Sequence, residues 1–284
     1  MRLLATCILL TCALSTNVAS AQEGALEYRA DTGPLRYDIS VEQLNTTDTP
    51  IGVRGTSIRT SAVVVLEIGG QEGDGLLYSA VFESLDIEVG DQSSVEVDAV
   101  IGMQFTGVLA NDGLVLLRDG PELPAQLRSV FDPERLLAEL LPALPPVSGS
   151  KDGAWTVERE YSSEGTVSIT SVFQGKARVV GDTTWNGLKA NLIVGTGTVG
   201  VLGGGAPADA PAEIDIIAGG EFTERHIFEA ERGIVLASAW ESESTGFAIM
   251  TEMDIEMPYR QVRKGIAELR RQTKGHNRGA EHAP

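Results

Sequence analysis

Carboxylates are the most numerous groups that could do chemistry: 40 Asp and Glu stand against 22 Lys and Arg in 284 residues. Glu83, Asp86 and Glu88 lie close together, and Glu96 and Asp98 follow. Acids paired in this way hydrolyse glycosides or bind Ca²⁺. Their spacing supports a plainer role. Asp86 and Glu88 alternate with Leu85, Ile87 and Val89, and Glu96 and Asp98 alternate with Val95, Val97 and Ala99. That is how the wet face of an antiparallel sheet is written.

The three histidines are His226, His276 and His282, and no pair of them has metal-ligand spacing. Neither H-E-x-x-H nor G-x-S-x-G occurs. A Ser-His-Asp site would have to use His226, without a serine context to support it. Gly195-Thr196-Gly197-Thr198-Val199-Gly200 spells the dinucleotide fingerprint after an apolar strand. That motif works only where a helix follows and offers its N-terminus to a pyrophosphate. Here Val201 to Pro207 is a poor helix start, so a flexible or bulged strand end is expected. Trp155, Trp185 and Trp240 could line a cleft, although aromatics in β-rich chains more often pack in the core or at strand edges. These readings predict no enzyme, no metal and no cofactor.

The elements that hold these residues are mostly strands. Leu35, Tyr37, Ile39 and Val41 alternate with polar residues, the period of a half-buried strand. Residues 58–68 carry a β-branched run, and Gly69 to Gly75 supplies turn chemistry. Leu77, Val81, Leu85, Ile87 and Val89 read as one face of the next strand. Val95 to Phe105, through Met103, reads as one side of another. Asn111-Asp112-Gly113 signals a hairpin. Beyond residue 146, strands are expected from Trp155, over 166–180, at 188–194 and in four runs from 213 to 257. Glycine, alanine and proline mark 195–212 as the longest irregular loop. Phe105 to Leu116 and Phe228 to Leu236 share an order of aromatic, turn, Gly and aliphatics, which either a duplicated β unit or chance explains.

Between the two strand sets lies PELPAQLRSVFDPERLLAELLPALPP, residues 121–146. Asp132 can cap a helix, Pro133 suits its first position, and Glu134 favours its first turn. Leu136, Leu137, Leu140, Leu141 and Leu144 form one apolar stripe, and Pro142, Pro145 and Pro146 end it. The stripe predicts either a cover for one sheet face or a movable lid over an apolar cavity.

Residues 1–21 read as an export signal: Arg2, an apolar core from Leu3 to Leu14, and cleavage after Ala19-Ser20-Ala21, near Gln22. The run is too short for an integral membrane span. Cys7 and Cys12 both lie within it, so the mature chain is expected to be thiol-free. A lipid-attachment reading of Cys12 is a poor match, coming early and after Thr11. The net charge of −18 argues against nucleic acid and anionic lipid surfaces as partners. From residue 258 on, bases outnumber acids. Val262, Ile266 and Leu269 suggest a short helix, followed by a solvated, disordered end.

This layout, with its leucine-rich helix closing on Leu141-Pro142-Ala143-Leu144-Pro145-Pro146, resembles the periplasmic lipoprotein carriers. In that family a curved antiparallel sheet is plugged by helices over an apolar cavity. An exported β-rich family without assigned function fits equally. The expected fold is mainly β, α+β overall: a curved antiparallel sheet of possibly two similar halves with a helix on the concave face. Its parts are a signal (1–21), a first β half (22–120), a central helical segment (121–146), a second β half (147–259) and a basic tail (260–284). The expected function is non-enzymatic binding of a lipid or other apolar ligand outside the cytoplasm. Leu136, Leu137, Leu140, Leu141, Phe105 and Met103 are the candidate cavity lining. The alternative is a structural or protein-interaction module with a filled core.

Overall fold

A computed structural model describes residues 26–90, 95–110, 113–145, 153–163, 165, 167–206 and 212–270. The export signal, the Asn111-Asp112 dipeptide, most of the 147–153 linker and the tail beyond Arg270 lie outside the described residues.

The eleven strands of the described residues form a single antiparallel, curled sheet that does not close. The first set is β1 (Leu35–Thr49), β2 (Gly52–Glu72), β3 (Gly75–Val89), β4 (Gln104–Ala110) and β5 (Val115–Asp119). The second is β6 (Ala154–Ser163), β7 (Val167–Trp185), β8 (Leu188–Gly205), β9 (Ile214–Glu229), β10 (Ile234–Met250) and β11 (Ile255–Leu269). Each set is a meander of neighbours, and the spatial order is β5-β4-β3-β2-β1-β11-β10-β9-β8-β7-β6. The halves therefore meet at one seam, β1 against β11, with Tyr37 opposite Leu269 and Thr47 opposite Tyr259.

Alternation places the core. Tyr37, Ile39 and Val41 of β1 are buried, while the residues between them are exposed, and the pattern recurs across the sheet. Phe82 packs edge-on against Phe105 and Phe131, at 5.4 and 5.3 Å between ring centroids. Two short helices lie on this inner face: α1 (Ala125–Arg128) and α2 (Pro133–Leu140). The Asp132 side chain accepts from the Arg135 N–H at 3.0 Å, with Pro133 in the first turn, as the sequence predicts.

Four local expectations are corrected. Residues 95–103 are irregular and turn structure with a single bridge from Ile101 to Phe82, and only Gln104–Ala110 is strand. In β3, Val63 pairs with Ser84 but Val64 with Phe82, so Glu83 is an inserted bulge residue. The bulge switches the buried parity from Tyr78, Ala80 and Phe82 to Leu85 and Ile87, leaving Leu77 exposed. The glycine-rich stretch is not a loop, because β8 runs through the G-x-G-x-x-G residues to Gly205. Finally, Val262, Ile266 and Leu269 lie in strand β11 at the middle of the sheet, not in a helix. Val262 and Ile266 fall on its outer side, and Gln261, Arg263, Gly265 and Ala267 point inward.

Candidate functional site

The site the sequence singles out is the concave face beneath α2. Leu136, Leu137, Leu140, Leu141 and Leu144 are all buried in one core with Phe105, Phe82 and Phe131. Met103 is not part of that core: it sits in the turn before β4 and is 47% exposed. The structure thus brings together five of the six proposed lining residues. Leu137, Leu140, Leu141 and Phe105 are enclosed in that core, each 1% exposed or less. A cleft of about 100 Å³ opens at the N-terminal end of α2, and a larger one of about 350 Å³, bordered by Leu35, Trp185, Leu236 and Leu269, touches none of the six. Of the six, Leu136 alone borders the smaller cleft, beside Val41, Ile58, Tyr161 and the polar side chains of Gln43 and Arg263. Apolar ligand clefts run to roughly 300–1,000 Å³.

The helical segment is held by side chains. Among the described residues no backbone hydrogen bond joins it to a strand. Ser238 Oγ donates to Leu140 O at 2.6 Å, Tyr28 Oη to Pro142 O at 2.8 Å, and Trp155 Nε1 to Ala143 O at 3.0 Å. Glu134 Oε2 accepts from Leu117 N at 3.4 Å. The strongest tie is ionic. Glu139, on the same helix as the leucine stripe, is buried and takes a two-pronged contact from Arg263 of β11: Nε to Oε1 at 2.8 Å and Nη2 to Oε2 at 2.7 Å. Arg135 Nε adds a third bond at 2.9 Å, its guanidinium lying 5.4 Å from the Tyr161 ring centre. Burial pushes the Glu139 carboxyl up, but Arg263 and Arg135 outweigh it and hold the acid below its ordinary range. Arg263 Nη1 continues to Gln43 Oε1 at 3.1 Å.

A second buried network lies beside the first. Arg159 of β6 pairs with Glu224 of β9 at 2.7 Å. Burial favours the neutral acid, yet the Arg159 charge beside it holds the Glu224 carboxyl down to about 2, while His226 Nε2 lies 3.6 Å away, too far for a hydrogen bond. His226 Nδ1 lies 2.8 Å from Ser238 Oγ, and Ser238 spends its own proton on Leu140 O. The imidazole must therefore donate from Nδ1 to the hydroxyl. Serine, histidine and glutamate do meet here, as a Ser-His-acid site would require. In this arrangement, however, the imidazole supplies a proton where a general base would take one. The geometry ties a helix end to the sheet.

Trp155 and Trp240 are buried, and the Trp240 ring lies over Gly265, where a Cβ would come within 2.2 Å of it. Glu83, Asp86, Glu88, Glu96 and Asp98 are all exposed, and no cluster of metal-ligating side chains occurs among the described residues. No described helix is long and apolar enough to cross a membrane. The buried charges escaped the sequence reading, though a signal was present. Arg159 shares the parity of Trp155, Val157 and Tyr161, and Glu224 and His226 share that of Phe222 and Phe228. A charge at an apolar parity marks a buried pair.

No protein-family model and no curated protein matches this chain. Among solved structures, it is similar to an outer membrane lipoprotein-sorting protein domain from Vibrio parahaemolyticus, at 9% identity and a TM-score of 0.19, over 84% of this chain and 86% of that one. A mutant of the Rh. blastica porin matches at 7% identity and 0.23, over 84% and 100%. OmpT, an outer membrane protein of Vibrio cholerae, matches at 11% and 0.19, over 84% and 97%.

Proposed function

We propose that this chain is a non-enzymatic, exported envelope protein that binds an acyl chain or similar apolar ligand on its concave face, in place of the helical segment. One observation carries the reading. The inner face is closed by an element that shares no backbone hydrogen bond with a strand among the described residues. Moving α2 aside therefore breaks side-chain contacts and leaves every strand ladder intact. It uncovers an apolar surface of Phe82, Phe105 and neighbouring aliphatics, and an apolar ligand would replace the burial that the leucine stripe supplies. The form described here is then the closed one.

A second reading, a structural or protein-interaction module with a filled core, is favoured by the narrow cleft and the Glu139–Arg263 clamp. Native mass spectrometry of the protein purified from an envelope fraction separates the two. The first reading expects a mass consistent with cleavage near Ala21-Gln22, co-purifying lipid, and saturable uptake of a fluorescent long-chain fatty acid. A protein that carries no lipid and takes up no probe, even when partly loosened by mild denaturant, is a filled module.

A further inference from the structure

Strand alternation should leave the outer face of the sheet polar, and over most of its area it does. At one end of the second half it does not. Leu202 of β8 stands opposite Ile217 of β9, Ile217 opposite Phe247 of β10, and Phe247 opposite Pro258 of β11. The first three are 56%, 55% and 47% exposed. Four adjacent strands thus carry one apolar row in register, pointing away from the core. Exposed apolar groups scattered singly are ordinary, but a contiguous row is the mark of a contact surface.

The surroundings of the row restrict what can lie on it. On one flank the next outward positions of β8 and β9 are Gly200 and Gly219, paired with each other. No heavy atom lies within 4 Å of where a Gly200 Cβ would sit, and the nearest to that of Gly219 is a backbone oxygen at 3.8 Å. Beside Leu202 and Ile217 the surface is bare backbone, which a partner's side chains can approach closely. The rim is acidic: Asp215, Glu221, Glu252, Asp254 and Glu256 are exposed around this end. Arg260, on the same flank as the glycines, is bound to Glu243 at 2.8 Å. Like charges facing each other across a contact disfavour a second copy of this chain, and they repel anionic headgroups as well.

We propose that this row docks a protein partner presenting an apolar strip bordered by lysine or arginine. The surface is on the side of the sheet opposite α2, so the inference stands whether or not the concave face takes a ligand. The test uses the full chain and a synthetic β-hairpin peptide alternating valine and lysine, with an equally charged serine–lysine peptide as reference. The valine peptide is expected to bind, and the Ile217→Thr/Phe247→Thr double variant to lose about tenfold or more in affinity at an unchanged melting temperature. Leu202→Thr alone is expected to weaken binding in the same direction. Equal binding by wild type and variants, or equal binding of the two peptides, would mean that charge alone attracts, and the proposal fails. It fails too if sedimentation shows a dimer that the double variant dissolves, or if the row instead governs adsorption to lipid vesicles.

Discussion

Glu139 and Glu224 are carboxylates placed where apolar side chains are the rule, and each is stabilised there by arginine. For Glu224 the balance has a consequence in acid. Its folded carboxyl is held at about 2, below the ordinary value of 4.5. The stability this contributes is complete above about 4.5 and is lost as pH falls toward 2, because the unfolded chain takes up the proton first. Denaturation midpoints measured through that window should fall for the wild-type protein. Glu224→Gln should be less stable near neutrality, with a shallower decline in acid. An unchanged slope would mean that the Arg159 pair is not formed. Neither network was legible as a site, since each is assembled from strands far apart in the chain: Gln43 with Arg263, and Arg159 with Glu224. Sequence shows the parity of each residue but not its partner.

The helix was the most legible element. Its cap, first-position proline and proline stop are local signals, and each is realised; of the leucine stripe, Leu136, Leu137 and Leu140 are helical, while Leu141 is the extended C-cap and Leu144 lies beyond it, both still buried. Strands were legible where one face is apolar. They were misread where a bulge changed parity, as at Glu83, and where inner positions are filled by something other than aliphatics. In β11 the inward set is Gln261, Arg263, Gly265 and Ala267, chosen for the clamp on Glu139 and for the Trp240 ring. That left Val262, Ile266 and Leu269 to imitate a helical period. Packing of α2 gives a direct comparison between two of the proposed lining residues. Leu137→Ala should cost about 2–5 kcal/mol in urea unfolding, the range for emptying a core leucine site. Met103→Ala, at an exposed turn, should stay within roughly 0.5 kcal/mol. Equal effects would contradict the burial described here.

At the scale of the molecule, two meanders share one sheet through a single pairing. The basic stretch expected to be a partly disordered tail is, as far as Leu269, the strand that joins them. A chain ending at Met257 should therefore lose its cooperative thermal transition, monitored by circular dichroism. One ending at Arg270 should keep it. Composition and alternation made the β-rich class readable. The seam was not, because pairing the first strand with the last is a long-range choice that no local pattern encodes.

That seam also sets an order of events. Ribosomes deliver a chain from its N-terminus, so β1 must wait with one flank unsatisfied until more than two hundred later residues have arrived. Until then β1 and β10 are both raw edges, each able to pair with a stranger. An unfinished copy of this protein is thus a hazard to its neighbours, and quality control should remove it faster than copies carrying ordinary core defects.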